Sequence, residues 1–184
     1  EHLCYYDVPS LEWMYLKAGL KIVKISRNWV NGGSIRVFAM HQKHGTPAAE
    51  LRPWRAPTPG ECQSFAKRVV RWKGLMREII GSEVMRYKPV WAYGASTKGS
   101  TLMQYLDQHE AFIGVADRNP KKHGRMMVGT RLPIVGEEAL RKANPRFVLA
   151  LPWAFRSEFI SREAPLRELG STFCFPLPNP EFVL

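Results

Sequence analysis

A chain of 184 residues has room for one full domain and an appendage, with enough bulk to bury a proper core. Hydrophobic residues make up 45% and charged residues 23%, the balance of a folded globular chain, and no apolar run approaches the roughly 18 residues that cross a bilayer. The formal charge of +11 suits nucleic acid, an anionic surface or a phosphorylated small substrate. The basic residues are spread along the chain and no nucleic-acid-binding motif accompanies them, so neither nucleic acid nor membrane is the expected partner.

Cys4, Cys62 and Cys174 are odd in number and form no C-x-x-C pair. This argues against a disulfide framework or a zinc knuckle and predicts reduced thiols in a cytoplasmic protein. The opening Glu1-His2-Leu3 has no initiator Met and no basic-then-apolar leader, so a segment of a longer chain is expected.

Ser10 is expected to cap a helix that runs to Lys17 and stops at Gly19. Lys21–Ser26 and Ser34–Met40 alternate like strands, and Asn31-Gly32-Gly33 suits a reversing turn between them. Helix and hairpin cannot close a core alone, so residues 1–45 read as the end of an incomplete unit. Gly45, Pro47, Pro53, Pro57, Pro59 and Gly60 mark a linker, in which the His41/His44 pair finds no third metal ligand. Phe65, Val69, Trp72, Met76 and Ile79 recur at helical spacing, predicting a helix over 61–80 that packs on the following domain. The basic cluster Lys67–Arg77 lies on its solvated face. Linker and helix together occupy 46–84.

Residues 85–184 alternate strand and helix signals. Strands are expected at Pro89–Tyr93, Phe112–Ala116, Leu132–Val135, Arg146–Leu151 and Ser171–Phe175. Helices are expected at Ser100–Gln108, Glu137–Lys142 and Ser157–Leu169. The pattern predicts an α/β fold, a doubly wound parallel sheet with helices on both faces.

The most informative local feature is Tyr93-Gly94-Ala95-Ser96-Thr97-Lys98-Gly99-Ser100. Small residues let the backbone approach a ligand, and the following helix aims free N–H groups at it. Ser96 and Thr97 add hydroxyls and Lys98 a full charge. Asp117 ends the next strand, about 20 residues on, where a dinucleotide fold uses an acid on ribose. The glycines match neither G-x-G-x-x-G nor the P-loop pattern, and a simple tight turn with a helix cap accounts for them equally. The usual winding would place Pro152–Arg156 beside this loop, bringing Trp153 to stack on a base or sugar, or to pack under the last helix, and Arg156 to reach phosphate. Glu1-His2 pairs an imidazole with a carboxylate, equipment for removing a proton beside a carbonyl.

Read together, E-H-L-C-Y-Y, A-G-L-K, N-G-G-S-I-R-V, Y-G-A-S-T-K-G-S-T-L-M-Q-Y, V-A-D-R-N-P-K-K-H-G-R, L-P-I-V and L-A-L-P-W-A-F-R resemble the sugar C-methyltransferases. The first three pieces resemble the end of their catalytic domain and the rest their Rossmann-like C-terminal domain. The resemblance implies S-adenosylmethionine-dependent methylation of a carbon next to the ketone of a nucleotide-linked deoxysugar. It implies His2 as the base and Glu1 as its carboxylate neighbour. It implies a diphosphate-linked keto-sugar held in part by Gly94, Ser96, Thr97, Lys98 and Trp153. S-adenosylmethionine and zinc are expected only in the parts of such an enzyme upstream of this chain, and the isolated chain is expected to be inactive. A nicotinamide-dependent oxidoreductase domain and a noncatalytic interaction domain are the rival readings.

Overall fold

Asp7, not Ser10, opens the first helix. The computed structural model describes residues 4–30, 33–44 and 54–184, so Glu1, His2, Asn31, Gly32, Gly45, Pro47 and Pro53 lie outside the described residues. The chain divides into two units, one ending at Phe65 and one beginning at Ala66.

In the first unit, α1 (Val8–Lys17) starts where the Asp7 carboxylate accepts the Ser10 N–H at 2.7 Å. Pro9 sits in the first turn, where its missing N–H costs nothing, which lets the cap fall at Asp7, three residues before the expected one. Gly19, at φ +74°, takes the left-handed conformation that ends the helix and feeds β1 (Leu20–Asn28). That strand pairs antiparallel with β2 (Ser34–His41), from Leu20 opposite His41 to Asn28 opposite Ser34. Val8, Ile22 and Ile25 form the buried core, with Leu11, Tyr15, Ile35, Val37 and Trp54 packed around them. Arg27 covers the Trp54 ring at 4.5 Å.

A second helix, α2 (Pro59–Arg86), spans the boundary between the units and is longer at both ends than its apolar spacing predicts. Thr58 and Glu61 build a reciprocal cap: the Thr58 N–H donates to Glu61 Oε2 at 2.8 Å, and the Glu61 N–H donates to Thr58 Oγ1 at 3.2 Å. Within the second unit, Met76 and Ile80 are buried in the main core, and the Trp72 indole donates to the Pro176 carbonyl at 2.7 Å.

Among the described residues, the second unit is built on one six-stranded sheet. Its strands are β3 (Val90–Tyr93), β4 (Phe112–Ala116), β5 (Ile134–Val135), β6 (Phe147–Ala150), β7 (Thr172–Phe175) and β8 (Glu181–Val183), in the order β5-β4-β3-β6-β7-β8. Five run parallel; β8, which sequence patterning misses, closes the edge antiparallel to β7. The hairpin β1–β2 is a separate sheet. Side chains alternate between the faces as the pleat requires. Val90, Ala92, Phe147, Leu149 and Cys174 face one cluster, with Leu102, Met103 and Leu106 of α3 (Thr97–Leu106) and the two buried residues of α2. Trp91, Tyr93, Val148, Ala150, Phe173 and Phe175 face the other. That second cluster also takes Leu140 of α4 (Glu137–Ala143), Phe159 of α5 (Arg156–Arg162) and Leu166 of α6 (Ala164–Glu168). The result is a Rossmann-like sheet with helices on both faces.

Two expected elements differ in detail. The helix read as Ser100–Gln108 begins at Thr97, because Ser96 Oγ caps it by accepting the Gly99 N–H at 3.0 Å. The helix read as Ser157–Leu169 is two pieces, α5 and α6, with Pro165 in the first turn of the second. No helix among the described residues is long and apolar enough to cross a membrane.

The seat of α3 depends on Gly99. A Cβ there would lie 2.6 Å from the Gly94 carbonyl oxygen and 3.1 Å from Leu151 Cδ1. Gly99→Ala should therefore lower stability. Overpacking against a backbone atom costs ~1–3 kcal/mol, which outweighs the gain in helix propensity of up to ~1 kcal/mol. Urea unfolding checks this, and an unchanged or raised midpoint would show that α3 is free to shift.

Candidate functional site

The strand order reverses at β3: its two neighbours are β4 and β6, and the chain reaches them in opposite directions across the sheet. Open α/β sheets bind ligands at such a reversal, outside the carboxyl ends of the strands. A cleft of about 300 Å3 lies there, lined by Tyr93 and Gly94 after β3, Asp117 and Arg118 after β4, and Pro152 after β6. Ser96 and four residues of the α5 region complete it: Phe155, Glu158, Phe159 and Arg162.

One side is shaped by Asp117. The carboxylate, nearly buried, accepts the Ala95 N–H at 2.8 Å and the Asn119 N–H at 2.8 Å, and it pairs with Lys122 Nζ at 3.0 Å. Lys122 also donates to the Ala95 carbonyl at 2.8 Å, so both backbone polar groups of Ala95 are tied to the β4 exit. Gly94 takes φ +97° and packs against Pro152, where a Cβ would come within 3.0 Å of the proline Cδ. The acid that sequence reading places on ribose is thus engaged with the protein's own donors, and the residues present do not fit that role. No group of three or more His, Cys, Asp and Glu that could hold a metal ion occurs among the described residues, so zinc finds no ligand set there either.

The floor of the cleft is ionic and aromatic. Glu163 is completely buried, and Arg141 donates to both of its oxygens, at 2.8 and 3.2 Å. Arg162 Nε lies 3.3 Å from the same carboxylate, and its NH2 group donates to the Tyr93 hydroxyl at 3.1 Å. The Tyr93 hydroxyl in turn donates to Glu137. Glu163 is the buried member of these pairs, while Arg141 and Arg162 keep part of their surface in water, so removing either arginine leaves a buried carboxylate short of a donor. Phe159 stands edge-on to Tyr93, with ring centroids 4.5 Å apart, and Arg162 lies over both rings.

Of the residues singled out by sequence, Gly94 and Ser96 line the cleft. Thr97 and Lys98 follow on the exposed first turn of α3. Trp153 is half-buried and packs against both core clusters, while Phe155, two residues on, is 65% exposed at the cleft. Arg156 turns away from the cleft lining, pairing with Glu181 of β8 and covering the Phe175 ring at 5.5 Å. The cleft's cations are Arg118 and Arg162, which sequence reading misses. The one local signal for Arg162 is its spacing of four from Glu158. His2 and Glu1 lie outside the described residues.

Residues 29–178 match the family described as the C-methyltransferase C-terminal domain. The chain is 32% identical over 198 aligned residues to the C-methyltransferase NovU of Streptomyces niveus, an alignment that takes in all of this chain and 46% of that protein. The chain therefore spans about half the length of the curated relative it matches.

Burial first, then the hydrogen bond to Glu137, push the Tyr93 phenol well above the ordinary tyrosine range. A phenol raised in the folded state contributes stability that is intact below the unfolded value, about pH 10, and is lost as pH rises through the folded one. Alkaline absorbance titration should show one of the six tyrosines ionising only as the chain unfolds. Tyr93→Phe should remove that late fraction; an unchanged titration would place the protected phenol elsewhere.

Proposed function

We propose a function on one premise, that this chain belongs to the C-methyltransferase family and carries its C-terminal domain. The proposed reaction is S-adenosylmethionine-dependent methylation of the carbon beside the ketone of a nucleotide-linked deoxysugar. The observation that supports it is the cleft at the strand-order reversal, where two guanidinium groups and an exposed phenyl ring meet small-residue backbone. That lining suits a ligand with an anionic centre and a flat or apolar flank.

In this reading the diphosphate lies along Gly94 and Ser96, with Thr97 and Lys98 on the same turn as further donors. Phe155 offers the ring that Trp153 spends on core packing. His2 acts as general base: it takes the proton from the carbon next to the ketone, and the electron pair moves onto the carbonyl oxygen to give an enolate. Glu1 orients the imidazole and supports its cation. S-adenosylmethionine supplies the methyl group from a site outside the described residues, and zinc likewise belongs outside them. The engagement of Asp117 by Ala95, Asn119 and Lys122 leaves a nicotinamide cofactor without its usual acid on ribose, which disfavours the oxidoreductase reading.

His2 and Lys98 then have separable jobs. In the complete enzyme, His2→Ala should lower the rate of solvent-deuterium exchange at the sugar carbon by about 10²–10⁴-fold with little change in substrate affinity. Lys98→Ala should raise the apparent KM about tenfold, the low end for a charged hydrogen bond because its side chain is exposed. Exchange as fast as wild type in His2→Ala would move the base to another residue. An unchanged KM in Lys98→Ala would make that turn structural.

A further inference from the structure

One carboxylate in the cleft stands between both of its arginines. Glu158 Oε1 lies 3.4 Å from Arg118 NH1 and 3.2 Å from Arg162 NH1. Arg118 follows β4, whereas Glu158 and Arg162 are one turn apart on α5, so the bridge joins the two sides of the cleft. The two cations differ in freedom. Arg162 is held from behind by Glu163 through Nε and by Tyr93 through NH2, which leaves NH1 turned toward Glu158. The Arg118 side chain is 70% exposed and pairs with Glu158. Glu158 itself is 62% exposed.

We propose that Glu158 is an internal competitor for the anion site of this cleft. Its carboxylate occupies the two guanidinium groups that take a ligand's diphosphate, and the diphosphate replaces it. The proposal rests on the reading that the substrate carries a diphosphate, and it adds the residue that sets how tightly that group is held. Guanidinium groups bind phosphate oxygens through paired N–H donors, so two of them on opposite sides of a cleft match a diphosphate better than a single carboxylate. Exposed ion pairs are weak, and Glu158 swings into water at small cost once displaced. Arg162 is already oriented by its buried contacts, so only Arg118 needs to be ordered by the ligand. Asp117, the other carboxylate of the lining, is paired with Lys122 and does not compete for the arginines.

The test is calorimetric titration of inorganic pyrophosphate, and separately of UDP-glucose and dTDP-glucose, into the whole chain and its Glu158→Gln and Arg118→Ala variants. Both positions are exposed, and far-UV circular dichroism verifies that the variants fold. Glu158→Gln should bind pyrophosphate about fivefold tighter, the equivalent of ~1 kcal/mol for released exposed pairs. Arg118→Ala should bind it weaker by a similar factor. Raising the salt should shrink both differences. Pyrophosphate binding no tighter in Glu158→Gln than in wild type, or no binding to either, overturns the proposal. If pyrophosphate follows the expected order but neither sugar nucleotide binds tighter than pyrophosphate, the competitor stands and the nucleotide-linked substrate falls. If the sugar nucleotides bind but ignore both substitutions, the substrate reading stands and the competitor falls.

Discussion

The parallel pairing of β3 with β4 on one side and β6 on the other is the constraint from which the site follows. A strand in that position sends its chain onward to one face while its neighbour β6 sends its own to the other. Here α3 joins the cluster under Val90 and Ala92, and α5 joins the cluster under Trp91 and Tyr93. The two exits diverge, and the cleft between them is lined by Tyr93, Gly94 and Pro152. Gly94 against Pro152 and Gly99 against the Gly94 carbonyl then bring backbone to the edge of that space. Packing of the sheet creates the cleft; the loops only trim it.

The charges around the cleft fall into two groups with different physics. Arg141, Arg162, Glu137 and Tyr93 form a partly buried network around the fully buried Glu163, whose charge is costly alone and tolerable when paired. Their work is to hold Arg162 and the Tyr93 ring in place. Arg118 and Glu158 are exposed and screened by water, so they exchange partners cheaply. A rigid cation beside a loose one, with a carboxylate between them, is a site that can accept an anion without rebuilding its floor.

Much of this was legible in the sequence, and the rest was hidden for identifiable reasons. Phe112–Ala116 reads as a strand because it is a short apolar run bounded by turn signals, and the structure gives those bounds. Gly94 and Ser96 were legible as small residues between strand and helix, and Ser96 also caps α3, the plainer use that the sequence equally offered. The start of α2 was signalled by Thr58-x-x-Glu61, a capping pattern that apolar spacing alone overlooks. The cap of α1 went to Asp7 because the tolerance of its first turn for Pro9 moved the helix back. β8 has three residues, none of them buried, and so carries no burial pattern to read. The Arg118–Glu158 bridge joins residues 40 apart on different elements, and no local pattern marks such a pair. Trp153 invited a ligand role from its type, while its place between two core clusters is a tertiary fact.

The central claim is that the cleft after β3, β4 and β6 receives the diphosphate-linked end of the substrate. Backbone amide shifts of the isotope-labelled chain, followed during titration with dTDP-glucose, test it most directly. The account predicts saturable shifts centred on Gly94, Ser96, Arg118 and the first turn of α5, with those of β1 and β2 unmoved. Shifts confined to the β1–β2 hairpin, or scattered along the basic face of α2 and lost at moderate salt, would contradict it.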